Sequence, residues 1–245
     1  MYFGCHDGVA CVLSDLLIEG NYIHTVRAAS DEVGYGMQVK LNSTAVIRDN
    51  VIVDTKGPGI MVYGSRDLGK LSVVERNFVA SSRTSAGIVI GGGPVVVRNN
   101  VAVGNSEGGI GLENYGKRDL LRAVFVVHNS VHGNDKGGIT VPSEGRLEAT
   151  MVNNAVHASP GGAAFPMGRV GVLSLGNVDC TYVPCFTSPV LRDFSPLATR
   201  PGVFLGEEWM PRDDYLGRSR GLPPVVGAFE QPAGPIESRI KILPR

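Results

Sequence analysis

The sequence has no excess of either charge: Lys plus Arg and Asp plus Glu each number 23, so the formal net charge is zero. A general nucleic-acid binder carries a basic surplus, and that class is set aside on this ground. No run of 18 apolar residues occurs, so no transmembrane helix is expected. Four cysteines fall in two pairs, Cys5 with Cys11 and Cys180 with Cys185. Neither spacing fits a zinc finger; a disulfide within each pair is compatible with the spacing, ordinary thiols are the simpler reading, and the count fixes no redox compartment. Helical periodicity is missing throughout, which removes a βαβ architecture. No Gly-Lys-Ser/Thr follows the glycine runs at Gly91-Gly92-Gly93 and Gly108-Gly109, and no helix is there to bind a phosphate. They read as tight corners. A signal peptide is lacking too. The opening Met1-Tyr2-Phe3-Gly4-Cys5 already reads as strand and turn, and leads us to expect a natural start upstream or an end closed by another chain.

What the sequence does contain is a repeat. Asparagine recurs at 21, 50, 77, 100, 129, 154 and 177, with gaps of 29, 27, 23, 29, 25 and 23 residues. A glycine opening an apolar strand keeps step with it at Gly36, Gly59, Gly87, Gly109 and Gly138. Each period holds three short strands, as in Ile60–Tyr63, Leu71–Arg76 and Phe78–Ala80. Such a period is too short for a propeller blade, and leaves a coil in which each turn stacks on the last by parallel pairing. One residue after the glycine come Met37, Ile60, Ile88, Ile110 and Ile139. Three after come Val39, Val62, Ile90, Leu112 and Val141. Both columns are expected to face inward, since alternate side chains share a face. The asparagines are expected to turn the chain near the left-handed region and to bond amide to amide from coil to coil. The expected fold is all-β: a right-handed single-stranded parallel β-helix of about six to seven coils. It should occupy residues 1–186 and lack an N-terminal cap. Prolines concentrate after about Thr187, so 187–245 reads as an irregular C-terminal cap or tail whose aromatics, Phe194, Phe204, Trp209, Tyr215 and Phe229, cover the rod.

The recurring Asn-aliphatic-aliphatic coil and the Gly-Ile-x-Val strand, over about residues 1–180, resemble the right-handed parallel β-helix proteins of the pectate-lyase-like superfamily. Val226-Gly227-Ala228-Phe229-Glu230 is similar to a short signature near the C-terminus of many bacterial members. The resemblance implies a carbohydrate-active protein, a lyase or epimerase on an acidic polysaccharide. It also implies export, although the chain itself fixes no location. The alternative is a noncatalytic carbohydrate-binding, structural or protein-interaction β-helix. The Asp-Pro-His motif of alginate epimerases and the paired Asp residues of the pectin-hydrolysing branch are both absent.

Outward positions on the first strand are where chemistry is sought. Four residues after the marker glycine lie Lys40, Tyr63, Gly91, Glu113 and Pro142, and Gly91 should leave a depression. The candidate catalytic set is Lys40 as base, Tyr63 as acid, Arg66 or Arg48 as carboxylate clamp, and Glu113. Gln38, Asn42, Arg48, Asn114 and Tyr115 are candidate substrate contacts. Glu107, Glu113 and Asp119 are the nearest carboxylates to a calcium-type cluster without forming a trio, and no cofactor or metal-ligand set is identified. His132 and His157 should be neighbours one coil apart, a pair short of a third ligand. His6-Asp7 has no assignable place. The exposed edge of the first coil is expected to favour a homo-oligomer.

Overall fold

The structure is a computed structural model that describes residues 1–5, 9, 11–206 and 209–236; His6-Asp7 lies outside them. The chain winds through three parallel sheets. The first contains Tyr2–Phe3, Met37–Val39, Ile60–Val62, Ile88–Ile90, Gly108–Leu112 and Gly137–Thr140. The second contains Leu16–Glu19, Ala45–Arg48, Ser72–Glu75, Val95–Arg98, Leu121–Val127, Leu147–Val152 and Val172–Leu175. The third contains Tyr22–Val26, Val51–Thr55, Phe78–Ala80, Val101–Val103, Ser130–Asn134, Ala155–Ala158 and Val178–Asp179. Every strand pairs with its equivalent one coil away, so the architecture is a parallel β-helix.

The register follows the sequence columns: Met37 pairs Ile60, which pairs Ile88, then Ile110, then Ile139. These five are at most 1% exposed. Branched side chains suit a pleated, buried surface, and stacking like on like fills the interior without gaps.

At the corner between the second and third sheets runs the asparagine ladder. Each side-chain amide donates to the side-chain carbonyl of the next asparagine, from Asn21 through to Asn177, at 2.8–3.0 Å. The same carbonyl accepts the backbone N–H of the preceding ladder residue, as Asn100 Oδ1 does from Asn77 at 3.0 Å. The left-handed backbone, however, belongs to the residue before each ladder member: Gly20, Asp49, Arg76, Asn99, His128, Asn153 and Gly176 have φ between 52° and 66°. The expectation that the ladder asparagine makes the turn is thus corrected. Its neighbour turns, and the ladder residue itself spends its amide on pairing. A second, shorter ladder of Ser82, Asn105 and Asn134 runs at another corner.

Beyond the last coil the chain packs on the outside. Phe186, Phe194, Phe229 and Ile236 cluster with Phe78, Val101 and Ala155 on the outer face of the third sheet. Trp209 stacks on Phe125 with ring centroids 3.9 Å apart. The left-handed corner residues anchor this segment. Asn153 bonds both the N–H and the C=O of Val203, and Asn99 bonds Asp213 and Arg220. The Val226–Glu230 stretch acts here as a clasp. Gly227 N–H bonds the Asn153 carbonyl and Ala228 N–H bonds Ser130 Oγ. Gly227, at φ +93°, would bring a Cβ within 3.2 Å of Ser130 and Ala155. Glu230 pairs with the buried Arg220. Both cysteine pairs close as disulfides, Cys5–Cys11 and Cys180–Cys185, so the simpler reading of free thiols is replaced.

Candidate functional site on the first sheet

The column that follows the first-sheet strands keeps the parallel ladder going. Lys40 N–H bonds Phe3 O, Tyr63 N–H bonds Val39 O, Gly91 N–H bonds Val62 O and Glu113 N–H bonds Ile90 O, at 2.7–3.0 Å. Lys40, Tyr63, Gly91 and Glu113 therefore stand on successive rungs of one outward column.

The first two rungs do not meet solvent. Lys40 is 3% and Tyr63 2% exposed. The Lys40 ammonium is 3.3 Å from the Tyr63 hydroxyl, and 4.3 and 4.4 Å from the ring centres of Tyr2 and Tyr63. Tyr63 in turn donates to Gln38 Oε1 at 3.3 Å. Tyr115 meets Tyr63 edge-on at 4.7 Å, and Tyr35 joins the same apolar cluster. The depression expected at Gly91 is filled: a Cβ there would lie 3.1 Å from both Met61 Cε and Tyr115 Cβ. The open-face expectation for Lys40 and Tyr63 fails because Tyr2 lies over the Lys40 ammonium while Tyr115 and Tyr35 pack on Tyr63. Burial, then the positive charge of Arg118, lowers the Lys40 pKa. Burial, then hydrogen bonding with Tyr35 and Tyr115, raises that of Tyr63. Both shifts favour an uncharged amine–phenol pair.

The open part of the face lies farther along the helix. A groove of about 580 Å³ is lined by Glu107, Glu113, Lys117, Asp119, Thr140 and Glu144 over a floor that includes Leu112, Val141 and Pro142. Burial, then the charge of Glu107, raises the Glu113 pKa. Asp119 is held by Asn114 in a reciprocal pair: the Asn114 amide donates to Asp119 Oδ1 at 2.8 Å and Asp119 N–H returns to Asn114 Oδ1 at 2.9 Å. Arg146 N–H adds a second bond to Asp119 Oδ1 at 3.2 Å. Glu107 pairs with Lys136 at 2.8 Å. Among the described residues no three His, Cys, Asp or Glu side chains converge to hold a metal ion.

The remaining candidates separate. Arg66 is exposed on the loop after Ile60–Val62, where its backbone N–H bonds Asn42 Oδ1 at 3.0 Å. Arg48 is not on this face at all. It belongs to the second sheet, 2.8 Å from Glu19, in a register that alternates Glu19, Arg48, Glu75 and Arg98. Its role as a clamp is withdrawn, because a neighbouring carboxylate on another face already holds it. Sequence columns missed Tyr2, Tyr35 and Glu144. Thr140 was readable as an outward position; Tyr35 and Glu144 sit in irregular connections whose path no column records.

Among the described residues no helix is long and apolar enough to cross a membrane. No curated protein matches the sequence. The family described as a right-handed β-helix region matches residues 8–177, and with two thirds of its length inside that match the chain belongs to the right-handed β-helix family.

Proposed function

We propose that the protein is carbohydrate-active and cleaves a glycan in the groove on the first sheet, with Glu113 as proton donor. The supporting observation is a half-buried carboxyl, raised in pKa by burial and by Glu107, in an open groove that holds further carboxylates. A glycosidic oxygen must gain a proton as its bond to the sugar carbon breaks, and a carboxyl kept neutral by its surroundings supplies it. A second carboxylate of the groove, such as Asp119, takes a proton from the attacking water. Glu107, Asp119 and Glu144 make the groove acidic, which disfavours an unbroken polyanion in it.

A lyase or epimerase on an acidic polysaccharide is the second reading. It is favoured by the Lys40–Tyr63 contact, which pairs a phenol with an amine whose pKa is lowered by burial and by the charge of Arg118. That chemistry requires the Tyr2, Tyr35 and Tyr115 cover to part. The two readings separate in one experiment: incubation with a panel of neutral and uronate polymers, following reducing ends and unsaturated-product absorbance. New reducing ends lost in Glu113→Gln support the groove. Absorbance lost in Lys40→Ala supports the lyase. Binding without turnover leaves a carbohydrate-binding β-helix. Pairing of two copies at the first-coil edge is proposed alongside, on the exposure of Tyr2 and Leu17, each 54%; sedimentation of Leu17→Lys tests it.

A further inference from the structure

On the third sheet, away from the groove, His132 and His157 are register partners on adjacent coils, and their rings stack at 4.4 Å and 19°. Their column continues from Val103 on the preceding coil. Over His132 lies the antiparallel hairpin of Phe186–Ser188 and Asp193–Pro196. The centroids of Phe186 and Phe194 are each 5.8 Å from that of His132 and 5.8 Å from each other. The Cys180–Cys185 disulfide ties the start of this hairpin to the end of the sheet. His157 Nδ1 is buried without a hydrogen-bond partner. The hairpin thus covers His132, and both rings of the stack are half-buried.

We propose that His132, stacked on His157, is an acid-sensitive latch that holds the Phe186–Pro196 hairpin on the third sheet when neutral and releases it when protonated. A proton on His132 places a cation beside two phenyl rings and against another imidazole, in a half-buried place where solvation is reduced. The charged groups on the packed elements do not offset this. Asp193 of the hairpin is engaged by Ser195, Arg200 lines the small cavity beside Phe186 and Phe194, and Arg192 adds positive charge at the hairpin turn. In the column itself the preceding coil contributes Val103, and on the following strand, Val178–Asp179, the Asp179 carboxylate is engaged by the Thr181 N–H.

The direction of the pH effect follows. Burial, then His157, lowers the His132 pKa from 6.5 to about 4. Between those values the opened hairpin binds a proton that the closed one refuses, so closure weakens as pH falls from about 6.5 and levels off below about 4.

Hydrogen exchange of the full chain, corrected for intrinsic rates and followed from pH 7 to 4.5, tests the latch. Amides of 186–196 should open about 10²-fold more often at pH 4.5, while those of the Ile88–Ile90 strand stay constant. His132→Phe keeps an aromatic ring in place and should cut the change to about threefold or less. A flat wild-type profile overturns the proposal, as does a variant that keeps the wild-type slope, which assigns the effect to Asp193. If the variant fails to fold, the NMR titration of wild-type His132 decides, since a pKa near 6.5 also overturns it.

Discussion

Asn100→Leu is the sharpest perturbation of the fold. Asn100 is fully buried in mid-ladder. Its amide donates to Asn129 Oδ1, Val74 O and Arg98 O at 3.0, 2.8 and 3.0 Å. Its carbonyl accepts from Asn77 N–H and Nδ2, both at 3.0 Å. Leucine has about the same size and none of these groups. The Asn77 amide keeps its bonds to Ile47 O and Glu75 O, and Asn129 Oδ1 keeps the backbone N–H of residue 100. Asn77 N–H is different, because the Asn100 carbonyl is its partner and no water reaches it. One orphaned buried donor costs about 1–3 kcal/mol, and the net loss of the other bonds brings the total to about 2–4 kcal/mol. Asn21→Leu, at the half-exposed start of the ladder, should cost under about 1 kcal/mol, since water replaces what is lost. Urea unfolding followed by circular dichroism measures both, with the slope m checked for constancy. Equal costs for Asn21 and Asn100, or an Asn100→Leu cost under about 0.5 kcal/mol, would mean that the buried amide bonds of the ladder do not carry this stability.

Other outcomes follow from burial and charge. Ile88→Asp places an unpaired carboxylate in the stacked interior and should prevent recovery of folded protein, read as loss of the soluble, β-rich species. Arg220→Ala removes bonds to Asn99, Val225 O and Gly227 O and leaves the buried Glu230 without its counter-charge, held by the N–H groups of Gly221 and Val225; it should cost about 3–5 kcal/mol, detected as rapid proteolysis of the outer segment with the coils still resistant. Gly64→Ala should destabilise by about 2 kcal/mol or more, because φ is +79° and the new Cβ would fall 2.4 Å from Gly92; thermal unfolding reads it. Glu113 has its pKa raised by burial, so the unfolded chain ionises first as pH rises above about 4.5, and stability is lost through that window. Glu113→Gln should therefore be more stable than wild type at pH 7 and less pH-dependent, while losing turnover; lower stability at pH 7 would contradict the burial argument.

The coil was legible in the sequence because its physics repeats. An Ile above an Ile and an Asn above an Asn need no knowledge of the rest of the chain. The doubled residues Asn99-Asn100 and Asn153-Asn154 hid a division of labour: the first of each pair takes the left-handed turn and holds the outer segment, the second joins the ladder. The site was legible by half. A column states which way Lys40 and Tyr63 point, but what covers them depends on where the 114–119 loop and Tyr35 fold, and those connections have no period. The same holds for Glu144, brought to Glu113 by a loop. Arg48 faces outward as well, but on the second sheet, and an outward position in the sequence does not say which of the three faces it belongs to.

The proposed function places glycan cleavage at Glu113 on the first sheet. A crystal structure of Glu113→Gln saturated with an oligosaccharide that the wild type turns over tests it directly. The sugar should lie across the first-sheet groove, with a glycosidic oxygen about 3 Å from the residue 113 side chain and Asp119 on the same groove wall. Sugar bound instead on the second or third sheet, or against the outer segment, would contradict it.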